Sequence, residues 1–346
     1  MGRYVAGCAP EMDELVDAVA WGVGRQIEAM RIPRLRGVVL GGGYARGEGG
    51  VREVDGHQTL SNDLDFYVVA EDGSSDAELA AIGDMLAPVS ESWTRKVGID
   101  VDFCPAKTHW RMKHDRERVM IQELLHGYFD VAGEKGDTLF AGIERRGPER
   151  FPWMESARLL MNRGMGLLLA KCKMENVKCK MGSGICANQN EKRKAGVGSE
   201  AGESVRDFVN RNINKCILGA GDARLIARHA YAWRATDRAR NLGDSLYMRA
   251  VEWKFRPSGS AVCDWKAARE AWLAAEDEVM RSGDAQRALG RSVYQAARWV
   301  ARRKTLGDVA TLGQDCVVRV LKRISRAVRE GKTASDSLMR DWEVFN

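Results

Sequence analysis

Four aspartates stand in pairs two residues apart: Asp63 and Asp65 in SNDLDFYVVA (Ser61 to Ala70), Asp100 and Asp102 in GIDVDFCPA (Gly98 to Ala106). Both stretches read as strands, where successive side chains point to opposite faces. Asp63 and Asp65 then share one face while Leu64, Phe66 and Val68 fill the other. Asp100 and Asp102 repeat the arrangement against Ile99, Val101 and Phe103. Two carboxylates about 5 Å apart repel by roughly 3 kcal/mol at an effective dielectric near 20. Two such strands side by side compound that cost unless cations neutralise it. A hard divalent metal answers the need: magnesium takes oxygen ligands, keeps several waters, and binds through one or two carboxylates plus substrate phosphates.

The segment before the first acidic strand is GGGYARGEGG, Gly41 to Gly50. A glycine run after the hydrophobic strand Gly37 to Leu40 lets the backbone approach a ligand closely and turn its amides toward an anion, so phosphate is the natural partner. Arg46 lies inside the run and either reaches that phosphate or pairs with Glu48. The run is not a Walker loop, because no Gly-Lys-Ser/Thr follows. It also misses the dinucleotide fingerprint, since Arg46 stands where the last glycine of G-x-G-x-x-G is required.

Taken together, the loop, the Asp-x-Asp and the second acidic strand resemble the signature of nucleotidyltransferases of the DNA polymerase beta superfamily. Gly42 and Gly43 match the glycine pair of that signature, Asp63 and Asp65 match its metal-binding pair, and Asp102, followed by Phe-Cys-Pro, is preferred over Asp100 as the third carboxylate. The resemblance covers roughly Gly37 to Ala106. It implies two ions, Mg2+ or Mn2+, about 3.5 to 4 Å apart, held by Asp63, Asp65 and Asp102 and clamping a nucleoside triphosphate such as ATP. Gly42 and Gly43 would face its phosphates, with Arg46 beside them. Asp102 would help remove the proton of an acceptor hydroxyl. There are two departures. Gly43 replaces a serine that contacts phosphate in many members, and VREVDGHQTLSN lengthens the path to Asp63 as a polar loop or hairpin.

The elements that must position these residues read as an α+β arrangement, a small mixed-sheet domain over residues 1–150 followed by an all-α domain over 151–346. Glu11 to Met30 has helical spacing, Asp76 to about Met85 forms a helix between the acidic strands, and Arg116 to Leu125 forms another. Gly133 to Gly142 reads as a turn-rich connector, and Pro148 with Pro152 marks the boundary. Beyond it, Glu155 to Lys173 is a helix and residues 175–203 read as a mobile insertion. A helix from Val205 is expected to stop at Gly221, where Asp222 caps another. Further helices are expected at Asp264 to Met280, Asp284 to Arg302 and Gln314 to Arg329. Such a helical half resembles the one that many superfamily members use to frame the acceptor.

With 346 residues the chain is long enough for two cores. No apolar run reaches the roughly 20 residues of a membrane helix, so a cytoplasmic protein with no membrane partner is expected. Eight cysteines without C-x-x-C spacing fit reduced thiols, and Cys172, Cys179 and Cys186 do not make a zinc pattern. The net charge of +6 is concentrated in Lys171 to Lys194, Arg298 to Lys304 and Arg319 to Arg329, which read as solvated helix faces and loops. Without interleaved aromatic platforms, nucleic acid is not the expected partner. The acceptor is expected to be a small molecule, a protein or a nucleotide. The competing reading is a catalytically inactive nucleotide-binding module acting as sensor or scaffold, a role that has little need of three converging carboxylates.

Overall fold

The computed structural model describes residues 2–7, 9–54, 56–182, 205–287 and 309–343. They form two compact units. One comprises Met1–Gly147, Trp233–Ala235 and Lys254–Ser258, the other Pro148–Ala232, Thr236–Trp253 and Gly259–Asn346. The fold is mixed α+β, a small mixed sheet followed by helices.

The first unit runs α1 (Pro10–Met30), β1 (Leu35–Leu40), α2 (Gly42–Ala45), β2 (Val51–Val54), β3 (His57–Leu60), β4 (Leu64–Ala70), α3 (Asp76–Val97), β5 (Val101–Phe103), β6 (Lys107–Thr108), α4 (His109–His114), α5 (Val119–His126), β7 (Phe129–Gly133) and α6 (Gly136–Leu139). The main sheet has the order β5-β4-β1-β7, with β6 also pairing with β4. β1 is antiparallel to β4 and β7, whereas β5 and β6 run parallel to β4. The period of two written into LDFYVV sends Leu64, Phe66 and Val68 into a core with Val16, Val23 and Ile27 of α1 and Ile82, Leu86 and Val89 of α3. Val39 and Val69 face the other way, onto Met112, Ile121, Leu124 and Leu139, with Tyr67 packed against them. Helices therefore cover both faces of the sheet.

Several expectations shift in detail. The acidic strand begins at Leu64, not Ser61, leaving Asp63 in the segment before it. The helix expected to end near Met85 continues through Pro88 to Val97. A proline inside a helix removes one backbone hydrogen bond. Here a Ser75–Glu78 capping box, a left-handed Gly98 cap and the buried face Leu79, Ile82, Leu86 and Val89 outweigh that loss. The supposed connector from Gly133 holds α6 and the end of β7, a strand whose short FDVAG gave little periodicity. The segment before Asp63 does form a hairpin, β2 paired with β3, turning at Gly56 with φ of +78°.

In the second unit every described element is helical. After a 3-10 turn at Pro148–Arg150 come α7 (Trp153–Gly182), α8 (Val205–Ala227), α9 (Ala235–Leu242), α10 (Ser245–Phe255), α11 (Trp265–Arg281), α12 (Val309–Arg329) and α13 (Asp336–Glu343), the first residue of α9 and the last two of α10 belonging to the first unit. Their core gathers Leu160, Met161 and Leu168 with Ile213, Ile217, Trp272, Val279 and Ile324. The helix from Val205 does not stop at Gly221. A Cβ there would meet the Tyr247 ring at 2.1 Å, so glycine is required for close packing, and α8 passes straight through it. Asp222 lies inside α8 and not at the start of a new helix; its Oδ1 accepts a hydrogen bond from the Tyr247 hydroxyl and lies 3.0 Å from Nε of Arg238. Residues 175–182 continue α7 as helix; the rest of the insertion expected at 175–203, and most of the helix expected over Asp284 to Arg302, lie outside the described residues.

Candidate functional site

The parallel pairing of β4 with β5 sets Leu64 opposite Val101, Asp65 opposite Asp102 and Phe66 opposite Phe103. Level residues on parallel strands project to the same face, so Asp65 and Asp102 are neighbours, Asp65 half-buried and Asp102 exposed on the edge strand. Asp100 precedes β5 and is exposed; its carbonyl accepts from the Leu64 amide at 2.8 Å. Register thus places Asp102, not Asp100, beside Asp65.

Cys104 records the charge of the pair. Burial pushes its thiol up to about 12, and the carboxylates of Asp65 and Asp102 add to the shift against the weaker opposing pull of Lys107. Burial likewise raises the Tyr67 phenol, with Asp65 and Glu123 pushing the same way.

The glycine loop is folded onto this pair. The Gly41 amide donates to the Asp65 carbonyl at 2.8 Å. Gly42 has φ of +66°, and a Cβ there would lie 2.4 Å from Asp65 Oδ2. Its lack of a side chain is therefore demanded twice, by the left-handed backbone and by the carboxylate pressed against it. Gly43 is different: a Cβ would meet Glu48 O at 3.5 Å and Lys254 Cε at 4.0 Å, ordinary contacts that leave room for a small side chain.

Asp63 is placed by Tyr44, the third residue of α2. The Tyr44 hydroxyl donates to the Gly50 carbonyl at 3.1 Å and accepts from the amides of Ser61 and Asn62 at 3.3 Å, while Asn62 Oδ1 accepts from the Gly50 amide at 2.5 Å. These bonds close the base of the β2–β3 hairpin, so the long path to Asp63 leaves and returns at one point. Burial lifts the Tyr44 phenol to about 12, and the Asp63 carboxylate contributes to the rise.

Arg46 lies with its guanidinium 3.4 Å from Glu123 and 4.0 Å from Glu48. Glu48, only 5 % exposed, accepts from the Ala235 amide at 2.6 Å and pairs with Lys254 Nζ at 2.7 Å. Sequence reasoning missed Glu123, Lys254 and the Ala235 amide because they come from distant segments with no motif of their own. Among the described residues no group of three His, Cys, Asp or Glu side chains is arranged to hold a metal ion by itself. Asp65 and Asp102, level on neighbouring strands with Asp63 two residues before Asp65, are the carboxylates that could hold an ion drawing its remaining oxygens from phosphates and water.

No helix among the described residues is long and apolar enough to cross a membrane. No protein-family model matches the chain, and no significant match exists among curated proteins or solved structures.

Proposed function

We propose that this chain is a metal-dependent nucleotidyltransferase that moves a nucleoside monophosphate from a nucleoside triphosphate to an acceptor hydroxyl, releasing pyrophosphate. The observation that carries the reading is the level pairing of Asp65 with Asp102 beneath the backbone of Gly42. Asp63, Asp65 and Asp102 would hold Mg2+ or Mn2+, whose chemistry here is to neutralise phosphate charge and make the acceptor hydroxyl more acidic. The chain's own groups do the positioning. Gly42 and Gly43 let the backbone come close to the phosphates, and Tyr44 fixes the segment that carries Asp63. The acceptor oxygen attacks the α-phosphorus, the bond to the bridging oxygen breaks, and pyrophosphate leaves. The acceptor's proton passes to Asp102, the more exposed carboxylate of the pair, and from there to water. Arg46, held between Glu48 and Glu123, keeps the loop's own charge compensated. The free thiols of Cys104, Cys172, Cys216 and Cys263 are in keeping with a cytoplasmic enzyme.

The test is incubation of the purified protein with Mg2+ or Mn2+, each labelled nucleoside triphosphate and a panel of hydroxyl acceptors, following pyrophosphate. Asp65→Asn and Asp102→Asn are each expected to lower turnover by at least about a thousandfold while leaving the fold intact, because they remove negative charge without changing shape. Wild-type rates in either variant would overturn the assignment. Tight triphosphate binding with no turnover on any acceptor would favour a sensor or scaffold instead.

A further inference from the structure

The closing arm of the glycine loop, Gly47 to Gly49, is held by a segment far from it in sequence. Residues 2–6, ahead of α1, lie along that arm. The Gly49 amide donates to the Tyr4 carbonyl at 3.0 Å and the Ala6 amide donates to the Gly49 carbonyl at 2.9 Å, so Val5 and Gly49 form a parallel bridge one residue long. Only glycine fits at that point: a Cβ on Gly49 would lie 2.8 Å from the Tyr4 carbonyl oxygen and 2.1 Å from the Tyr44 ring. The preceding amide, that of Glu48, donates to the Gly43 carbonyl at 2.8 Å. A short run of hydrogen bonds therefore leads from residues 4–6 to the glycine pair.

Asp13, in the first turn of α1, fixes the segment. Its Oδ2 accepts from the Arg3 amide at 2.7 Å, and its Oδ1 accepts from the amides of Tyr4 and Val5 at 2.8 and 3.1 Å. One carboxylate thus satisfies three consecutive amides with charge-assisted bonds. Tyr4 and Val5 are buried; the Tyr4 ring lies 4.6 Å from that of Phe129, and its hydroxyl donates to Asp17 Oδ1 at 2.5 Å. Residues near a chain end stay ordered when tied down in this way. The loop needs such a tie, because glycine loses more conformational freedom on being fixed than any other residue.

We propose that residues 3–6 are a strap that orders the glycine loop in advance, and that Asp13 is a positioning residue for the triphosphate. The bearing on the triphosphate rests on the nucleotidyltransferase reading; the hold on the loop does not. A loop already in place spares the ligand the cost of ordering it, so loosening the strap lowers apparent affinity in proportion to the fraction of chains left in the competent state.

Amide hydrogen exchange of the full chain, followed by NMR, reads the strap, and equilibrium binding of a fluorescent ATP analogue reads its consequence. Asp13→Ala is expected to speed exchange of the Glu48 and Gly49 amides about tenfold or more relative to the amides of β4, and to weaken analogue binding about tenfold. Asp13→Asn keeps an oxygen for Tyr4 and Val5 and should fall between. Val16→Ala removes a buried side chain of the same helix that packs in the core and leaves the strap bonds alone. It is expected to lower Tm with the relative exchange of Gly49 and the analogue affinity unchanged, which separates positioning from a general loss of stability. Unchanged exchange at Gly49 in Asp13→Ala would overturn the strap. Faster exchange with undiminished affinity, or an equal loss of affinity in Val16→Ala, would overturn the positioning role. Should the wild-type chain bind no analogue while Asp13→Ala still frees the Gly49 amide, the strap stands and the nucleotidyltransferase reading falls.

Discussion

Gly42 and Gly43 show how two identical neighbours carry different constraints. Placing alanine at Gly42 forces a left-handed backbone on a residue with a Cβ and drives that Cβ into Asp65 Oδ2. Gly42→Ala is expected to cost about 2 kcal/mol or more of stability, seen as a lowered urea midpoint, and to abolish turnover. Gly43→Ser, by contrast, meets only ordinary contacts and should fold normally; a fall in KM for the triphosphate would show the added hydroxyl reaching phosphate. Cys104 carries a pH prediction. Its thiol is raised from an ordinary value of 9.0 to about 12, so below pH 9 both folded and unfolded chains keep the proton and the full contribution to stability is present. As pH climbs from 9 toward 12 only the unfolded chain releases it, and that stability is lost. Chemical denaturation across that window should show a shallower alkaline decline in Cys104→Ala than in the wild type.

At the scale of elements, the glycine loop is held by partners that its sequence does not contain. Glu48 ties the loop to the Ala235 amide and to Lys254. Removing one member of a buried ion pair leaves the other uncompensated, and Glu48→Ala is expected to cost about 3 to 5 kcal/mol. The double variant Glu48→Gln with Lys254→Met should recover part of that loss in the same thermal melt. An unchanged Tm in Glu48→Ala would show that this carboxylate does not hold the loop. The hairpin follows a similar logic: its length looked like a departure, yet Tyr44 and Asn62 join its two ends, so the insertion leaves the geometry between loop and Asp63 undisturbed.

The whole molecule has two compact units with separate cores, and the first takes Trp233–Ala235 and Lys254–Ser258 from the later part of the chain, an exchange that no local pattern indicates. Leu64, Phe66 and Val68 announced the face of β4 that packs on α1 and α3, and the near absence of strand signals after Pro152 announced the helical unit. Its centre is Trp272, whose indole is fully buried and donates to the Leu160 carbonyl at 2.9 Å. Trp272→Ala should cost about 3 to 5 kcal/mol in thermal unfolding. Below that transition, binding of a fluorescent triphosphate analogue should persist, since the loop and its carboxylates draw on another core. By itself the sequence determined the α+β order, the faces of β4, and the pairing of a glycine loop with paired aspartates, because these depend on local periodicity and short spacing. Only the tertiary structure decided that Asp102 rather than Asp100 is level with Asp65, that α8 runs through Gly221, and that Lys254 and the Ala235 amide brace Glu48. Strand register, close ring packing and contacts across some two hundred residues arise from how elements meet in space, for which a local pattern holds no information.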